Sequence, residues 1–353
     1  MINLDREKKL IFLKKAQLWL GFFVLILLFS GCKNQNQLFT ISGNTMGTTY
    51  SIKIVNNLLQ DIDLDTIKSK IDSTLQVVNQ QMSTYIHDSE INTFNRLASK
   101  DWFTMSTDFY EVIVAAQEIS RLTDGAFDIT VRPIVDLWGF SLDLTQNTWQ
   151  PPSEKAIKET IKSIGFNNIV VGKNSIKKLN HDTKIDLNAI AKGYGVDVVF
   201  ELLEGLGFTE ILVEIGGEVR CLGLNKVGDP WRIGIDKPIL DIIPGTELQT
   251  VISLDNNALA TSGDYRNYFE YEEKLYSHMI DPTTGYPTIN NVASASVTAP
   301  SCMVADALAT ALMVMGEDGI DLINSLNEVE AMLIIRTNDN MLKSEESLGW
   351  ETN

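Results

Sequence analysis

Apolar side chains along this chain fall at two spacings, and the alternation between them lays out the elements. Within 63–81, Leu64, Ile67, Ile71, Leu75 and Val78 recur every three or four residues, which predicts an amphipathic helix. A short helix is expected to begin at Ser89, a long one over 106–123 with Asp124-Gly125 as its stop, and another over 153–164 before Gly165. The same period marks 197–206 and the alanine-rich run 303–315, MVADALATALMVM. Strand-like alternation marks 43–55, 231–236 and 248–254, the latter two read as strands of one sheet joined by a loop over 239–245. Shorter strands are expected at 168–171, 175–179, 210–215 and 293–298, with 331–336 and 341–344 forming a hairpin around Asn338-Asp339-Asn340. Helices and strands interleave, and the strands are expected to pair mostly with near neighbours. The resulting fold class is α+β, with mainly antiparallel sheet and flanking helices.

Bulk composition narrows the class. At 353 residues, 44% apolar and 21% charged, the chain is an ordinary globular protein. A formal charge of -17 argues against nucleic acid as a partner, because phosphate recognition needs a basic face.

The N-terminus carries an address. Arg6, Lys8, Lys9, Lys14 and Lys15 precede an apolar run, Leu18 to Phe29, which closes on Ser30-Gly31-Cys32. That is a basic region, a hydrophobic stretch short for a membrane span, and a small-residue cleavage site. A Cys after Ser-Gly resembles the bacterial lipobox, although Phe29 stands where Leu is usual. The expected organisation is a lipoprotein signal peptide at 1–31, an acylated Cys32 with a polar tether at 32–38, and one catalytic domain at 39–353. Such a protein is anchored by lipid, in the inner membrane, and faces the periplasm or the cell exterior. With Cys32 acylated, only Cys221 and Cys302 remain, as two buried thiols or as one pair.

Candidate chemistry begins on the 303–315 helix. Asp306 and Thr310 lie one turn apart on one face of an otherwise apolar segment. A carboxylate there needs a partner, and carboxylate plus hydroxyl is a hard oxygen pair that suits Mg²⁺. A capping Asp and a Thr bonded back to its own helix would give the same pattern. Several polar, glycine-containing turns accompany it: TDGAFD at 123–128, DLNAIAKG at 186–193, ATSGDYR at 260–266 and SHMIDPTTGYP at 277–287. Neither GxGxxG after a first strand nor a Walker loop is present. His278 is the one histidine flanked by possible partners on both sides, with a pKa suited to proton transfer.

Together these strings resemble the ApbE family of flavin transferases. The resemblance runs through GNTMGTTY at 43–50, MSTY at 82–85, GAFD at 125–128, DLWGF at 136–140 and DLNAIAKGY at 186–194. It continues through VEIGGE at 213–218, 231–238, 261–269, 277–287 and 299–312, in the family's order across nearly all of the chain after the leader. The resemblance implies an ApbE-like, T-fold-related domain. It implies an Mg²⁺-dependent enzyme that takes FAD and attaches its FMN half through a phosphoester to a Thr or Ser of an acceptor protein, releasing AMP. The family's acceptors include subunits of membrane redox pumps. Carried over by position, Asp306, Thr310 and the main-chain oxygen of Ala189 are Mg²⁺ ligands. Met46, Tyr85, Ala126, Phe127, Asp128, Asp186, Lys192 and Ile280 contact FAD. His278 is expected as general base, and Lys192 or Arg266 as a source of further positive charge. Two alternatives share these residues: an FAD pyrophosphatase that makes FMN and AMP, and a non-catalytic FAD-binding lipoprotein.

Overall fold

The computed structural model describes residues 37–56, 63–98, 100–141, 149–240, 243–339 and 341–351. The leader and Cys32 lie outside the described residues, and none of the described helices is long and apolar enough to cross a membrane.

An eight-stranded antiparallel sheet forms the frame. Its strands are β1 (Gln37–Thr45), β2 (Thr48–Asn56), β6 (Ile211–Ile215), β7 (Glu218–Leu222), β10 (Ala258–Gly263), β13 (Val292–Ala299), β14 (Glu330–Arg336) and β15 (Leu342–Glu346). They are arranged β1-β2-β6-β7-β10-β13-β14-β15. Hairpins join β1 to β2, β6 to β7 and β14 to β15, as near-neighbour pairing requires. The other joints are long-range: β2 pairs with β6, β7 with β10, β10 with β13, and β13 with β14. Hydrophobic alternation reports which face a strand buries but not its partner, so these joints were not legible along the chain.

The expected single strand over 43–55 is in fact two, the end of β1 and most of β2, separated by the turn of the first hairpin. Met46 and Gly47 take φ of 51° and 73°, the left-handed pair of a two-residue connection between Thr45 and Thr48. The helix expected at 197–206 begins earlier, as α6 (Ala191–Gly205), so Lys192 and Gly193 occupy its first turn. The small-residue run at 260–266, read as a turn, is strand β10 as far as Gly263. A seven-residue helix, α4 (Arg132–Trp138), has Pro133 at its start and Gly139 at φ 86° as its stop. It is too short for its period to stand out.

Helices cover one face of the sheet. The predicted helix at 63–81 is α1 (Leu64–Met82), whose buried side chains are Ile67, Ile71, Leu75, Val78 and Met82. With α6 it packs on Ile52, Ile54, Ile211 and Val213. Helix α7 (Cys302–Met315) lies on β10 and β13, whose inward positions include Ala260, Ala295 and Val297. Alanines on both sides let helix and strand backbones approach closely, as dense packing demands. The opposite face is covered by the ribbon of β8 (Trp231–Asp236) and β9 (Leu248–Leu254), a separate two-stranded sheet. Trp231, Ile235, Ile252 and Leu254 pack there on Leu212, Cys221 and Met332. Cys221 and Cys302 are both buried free thiols.

The contact between α6 and α7 sets the site. A Cβ on Gly193 would meet the Cys302 carbonyl oxygen at 2.4 Å, so only glycine allows this approach. Asp197, one turn further along α6, accepts from the Cys302 and Met303 amides at 3.0 and 2.9 Å and from the Ser301 hydroxyl at 2.8 Å. Arg220 holds the same carboxylate at 2.7 Å. A carboxylate from a neighbouring helix thus satisfies amides that α7 cannot satisfy itself.

Candidate active site

The crossing of α6 and α7 opens onto a cavity of about 410 Å³, a size ordinary for small-molecule sites. Its wall brings together Tyr85, Ala126, Phe127, Asp128, Asp186, Ala189, Lys192, His278, Ile280, Asp306 and Thr310. Residues scattered over more than 220 positions of sequence therefore share one surface.

Met46 is not among the lining residues. It sits in the β1–β2 turn and packs against both large apolar clusters, with its sulfur 3.1 Å from where a Cβ on Gly195 would sit. Tyr85 is 75% exposed at the mouth, whereas Phe127 is buried in the wall.

Asp306 is only 2% exposed. Its Oδ2 accepts from the Gly193 amide at 3.0 Å, and its Oδ1 lies 3.9 Å from Lys192 Nζ. Gly193 is the third residue of α6, so its amide has no acceptor within the helix, and the Asp306 carboxylate supplies one. Thr310 Oγ1 is 3.1 Å from the Ser262 hydroxyl of β10. Burial drives the Asp306 carboxyl upward in pKa, and Lys192 pulls it part of the way back.

Lys192 forms its close ion pair with Glu218, the first residue of β7. Burial works against the ammonium, but Asp306 and then Glu218 more than offset this and hold it above the ordinary lysine range. Glu218, 2% exposed, is itself pushed up by burial, with Lys192 opposing. It received no role from the sequence, although it closes the VEIGGE string at 213–218 that carries the family resemblance. Thr261, Ser262, Gly263 and Asn267 were likewise unassigned and also line the cavity.

Two further carboxylates are fixed by local backbone. Asp128 accepts from the Thr130 amide at 2.7 Å and its hydroxyl at 2.6 Å. Asp186 accepts from the Asn188 amide at 2.8 Å and faces Arg132 at 3.3 Å. Burial raises both, these bonds resisting.

His278 follows the strand β12 (Lys274–Ser277), which pairs with β11 (Tyr268–Tyr271) in a hairpin the sequence did not announce. Its Nδ1 lies 3.0 Å from the Asn267 carbonyl oxygen. A carbonyl only accepts, so Nδ1 carries the hydrogen and a neutral ring keeps Nε2 as a base. Burial lowers the His278 pKa, which favours that neutral form. Behind it, Trp138 donates to the Gly285 carbonyl at 2.8 Å and fixes the following turn. Arg266 reaches the rim and pairs with Asp236 at 3.2 Å.

Comparison with known proteins draws on the same segments. The profile of the ApbE family matches residues 46–333. The chain belongs to the ApbE family. Among its relatives is an FAD:protein FMN transferase of Vibrio cholerae, 42% identical over 321 residues that cover 91% of this chain and 94% of the relative. One from Haemophilus influenzae, of the same name, is 37% identical and covers 90% and 92%. The solved flavin transferase ApbE from Vibrio cholerae superposes with a TM-score of 0.80 at 40% identity, over 89% of this chain and 98% of that one. The apo flavinyl transferase ApbE of Pseudomonas stutzeri gives 0.80 at 32% identity, over 90% and 96%. The mixed, mainly antiparallel architecture expected from the sequence is thus the ApbE fold.

Proposed function

We propose that this protein transfers FMN from FAD to a Thr or Ser hydroxyl of an acceptor protein, with Mg²⁺, and releases AMP. The observation that carries the reading is the convergence of Asp306, Thr310, Ala189, Lys192 and His278 on one cavity. The FAD:protein FMN transferases at up to 42% identity support the same reaction.

The donor set fits Mg²⁺. One buried carboxylate, one hydroxyl and one main-chain carbonyl are hard oxygen ligands, and Mg²⁺ commonly completes such a site with water and substrate phosphate. Among the described residues no three His, Cys, Asp or Glu side chains converge on a metal. A cation here would be held by Asp306 together with the neutral oxygens of Thr310 and Ala189. When bound, the ion neutralises charge on the pyrophosphate and on the departing AMP.

The chain's own groups supply the rest. Lys192 adds a fixed positive charge beside the metal ligands. Tyr85 at the mouth and Phe127 in the wall offer apolar surface to the flavin half. His278 takes the proton of the acceptor hydroxyl at Nε2 as that oxygen attacks the phosphorus of the FMN half. The new P–O bond replaces the one to AMP, so FAD and a hydroxyl become FMN ester and AMP. Phosphoryl-type transfer asks the protein for positioning and charge rather than covalent help, and these roles satisfy that demand.

The experiment supplies FAD, Mg²⁺ and a peptide carrying a candidate acceptor Thr. Covalent gain of one FMN on the peptide, with AMP released, is expected. Free FMN with unmodified peptide would replace this reading by a pyrophosphatase, and intact FAD under all conditions by a binding protein. We further propose that the acceptor is an extracytoplasmic redox subunit, reached because acylated Cys32 anchors the domain to the inner membrane.

A further inference from the structure

We infer that Glu218 is a positioning residue for the divalent centre: its Oε1 anchors the Lys192 ammonium so that this cation stays beside Asp306 without closing on it. The inference deepens the reading above and rests on it.

Three charged groups meet at the cavity wall. Lys192 lies between Glu218, with which it makes its close pair, and Asp306, whose Oδ1 is 3.9 Å away. That second distance is an ion pair but too long for a hydrogen bond. Both carboxylate side chains are 3% exposed, the lysine 31%. An ammonium facing a single buried carboxylate closes on it, because each is costly to leave uncompensated. Glu218 changes that outcome. It supplies the stronger partner, holds Lys192 at arm's length, and leaves the Asp306 oxygen open to a metal ion. With all three ionised the set carries one net negative charge, which draws a divalent cation. Once Asp306 serves the metal, Glu218 remains as the lysine's counter-ion.

The backbone that presents Glu218 is specialised for it. Gly216 and Gly217, at φ of 64° and 109°, form the β6–β7 turn in a region that other residues rarely adopt. A Cβ on Gly216 would meet Thr48 Cγ2 at 2.8 Å and Glu218 Oε2 at 3.5 Å. Oε2 is buried and has no hydrogen-bond partner among the described residues. A buried acceptor left unsatisfied costs stability, so its retention at a cavity wall points to a donor that arrives with the ligands. Mg²⁺ brings such donors as its retained waters.

The test is titration of the full chain with Mg²⁺ alone, by calorimetry, on a double-mutant cycle of Glu218→Gln and Lys192→Met. Glu218→Gln is expected to weaken Mg²⁺ binding about 10- to 100-fold, the usual penalty for losing a group that orients a metal ligand. In the Lys192→Met background the same substitution is expected to change little, because the lysine that would close on Asp306 is gone. Wild-type affinity in Glu218→Gln, or an equal loss in both backgrounds, overturns the inference while leaving FMN transfer untouched. A wild-type protein that binds no Mg²⁺ overturns the divalent centre and the inference with it. If Glu218→Gln does not fold, Glu218→Asp enters the same cycle: a loss confined to the lysine-containing background supports the inference, and an equal loss in both refutes it.

Discussion

His278 works through one hydrogen bond. Because Nδ1–H is committed to the Asn267 carbonyl, the ring has a single free basic nitrogen, and burial lowers its pKa in favour of the unprotonated form. Replacing it with Ala is expected to slow transfer by about 10² to 10⁴, the range for a lost general base. Single-turnover transfer onto peptide measures this, and an unchanged rate removes His278 from the mechanism. The pH profile follows from the sign of the shift. A pKa below the ordinary histidine value of about 6.5 leaves the base form intact at neutrality, so the rate should fall only as pH drops through that lowered value. An acid limb centred above 6.5 would contradict the burial argument. Asp306 is expected to be more stringent. Asp306→Ala, or chelation of the wild type, should abolish Mg²⁺-dependent turnover while FAD still binds in part, as read by flavin fluorescence. Retained Mg²⁺-dependent turnover would reassign the metal.

Between elements, the crossing of α6 and α7 governs everything the site does. Its two halves are the absence of a side chain at Gly193 and the presence of one at Asp197. Asp197 accepts three hydrogen bonds at the start of α7 and neutralises Arg220, so Asp197→Ala should cost about 2–3 kcal/mol, the scale of hydrogen bonds to a charged group. Urea denaturation measures it, and Asp197→Asn should lose less. A variant as stable as the wild type would mean that α7 is held by its alanine packing alone. The helices themselves were readable, since Ile67, Ile71, Leu75 and Val78 have to share a face wherever the segment goes. Their starts were not always readable. Ile190, at the N-terminus of α6, makes no side-chain cap, and the polar DLNAIAKG string looks like a loop until the helix is seen to begin inside it.

At the scale of the whole molecule, sheet order brings the motifs together. Strand β10 carries Thr261, Ser262 and Gly263 to the cavity only because β7 and β13 flank it, pairings that join residues from 219 to 299. The N-terminal segment adds the remaining expectation. If Cys32 is acylated, the full chain should partition with membranes and Cys32→Ala should release a soluble enzyme with unchanged transfer rate. Detergent-phase extraction and mass analysis of the N-terminal peptide decide this, and a soluble wild-type protein would refute the anchor.

Sequence alone determined what depends on neighbours along the chain. The periodic faces of α1 and α7, the oxygen pair Asp306 and Thr310 one turn apart, and the polar glycine turns are local facts, fixed by backbone geometry. The family resemblance drew on the same strings. Tertiary structure alone decided which of these meet. It split the 43–55 strand at Met46-Gly47 and packed Met46 against the apolar clusters rather than in the cavity lining. It gave the Gly193 amide, without an acceptor in its own helix, the Asp306 carboxylate, and it set Glu218 against Lys192. Each of those outcomes depends on close approach between segments far apart in sequence, and excluded volume and buried charge act only once such segments are packed together.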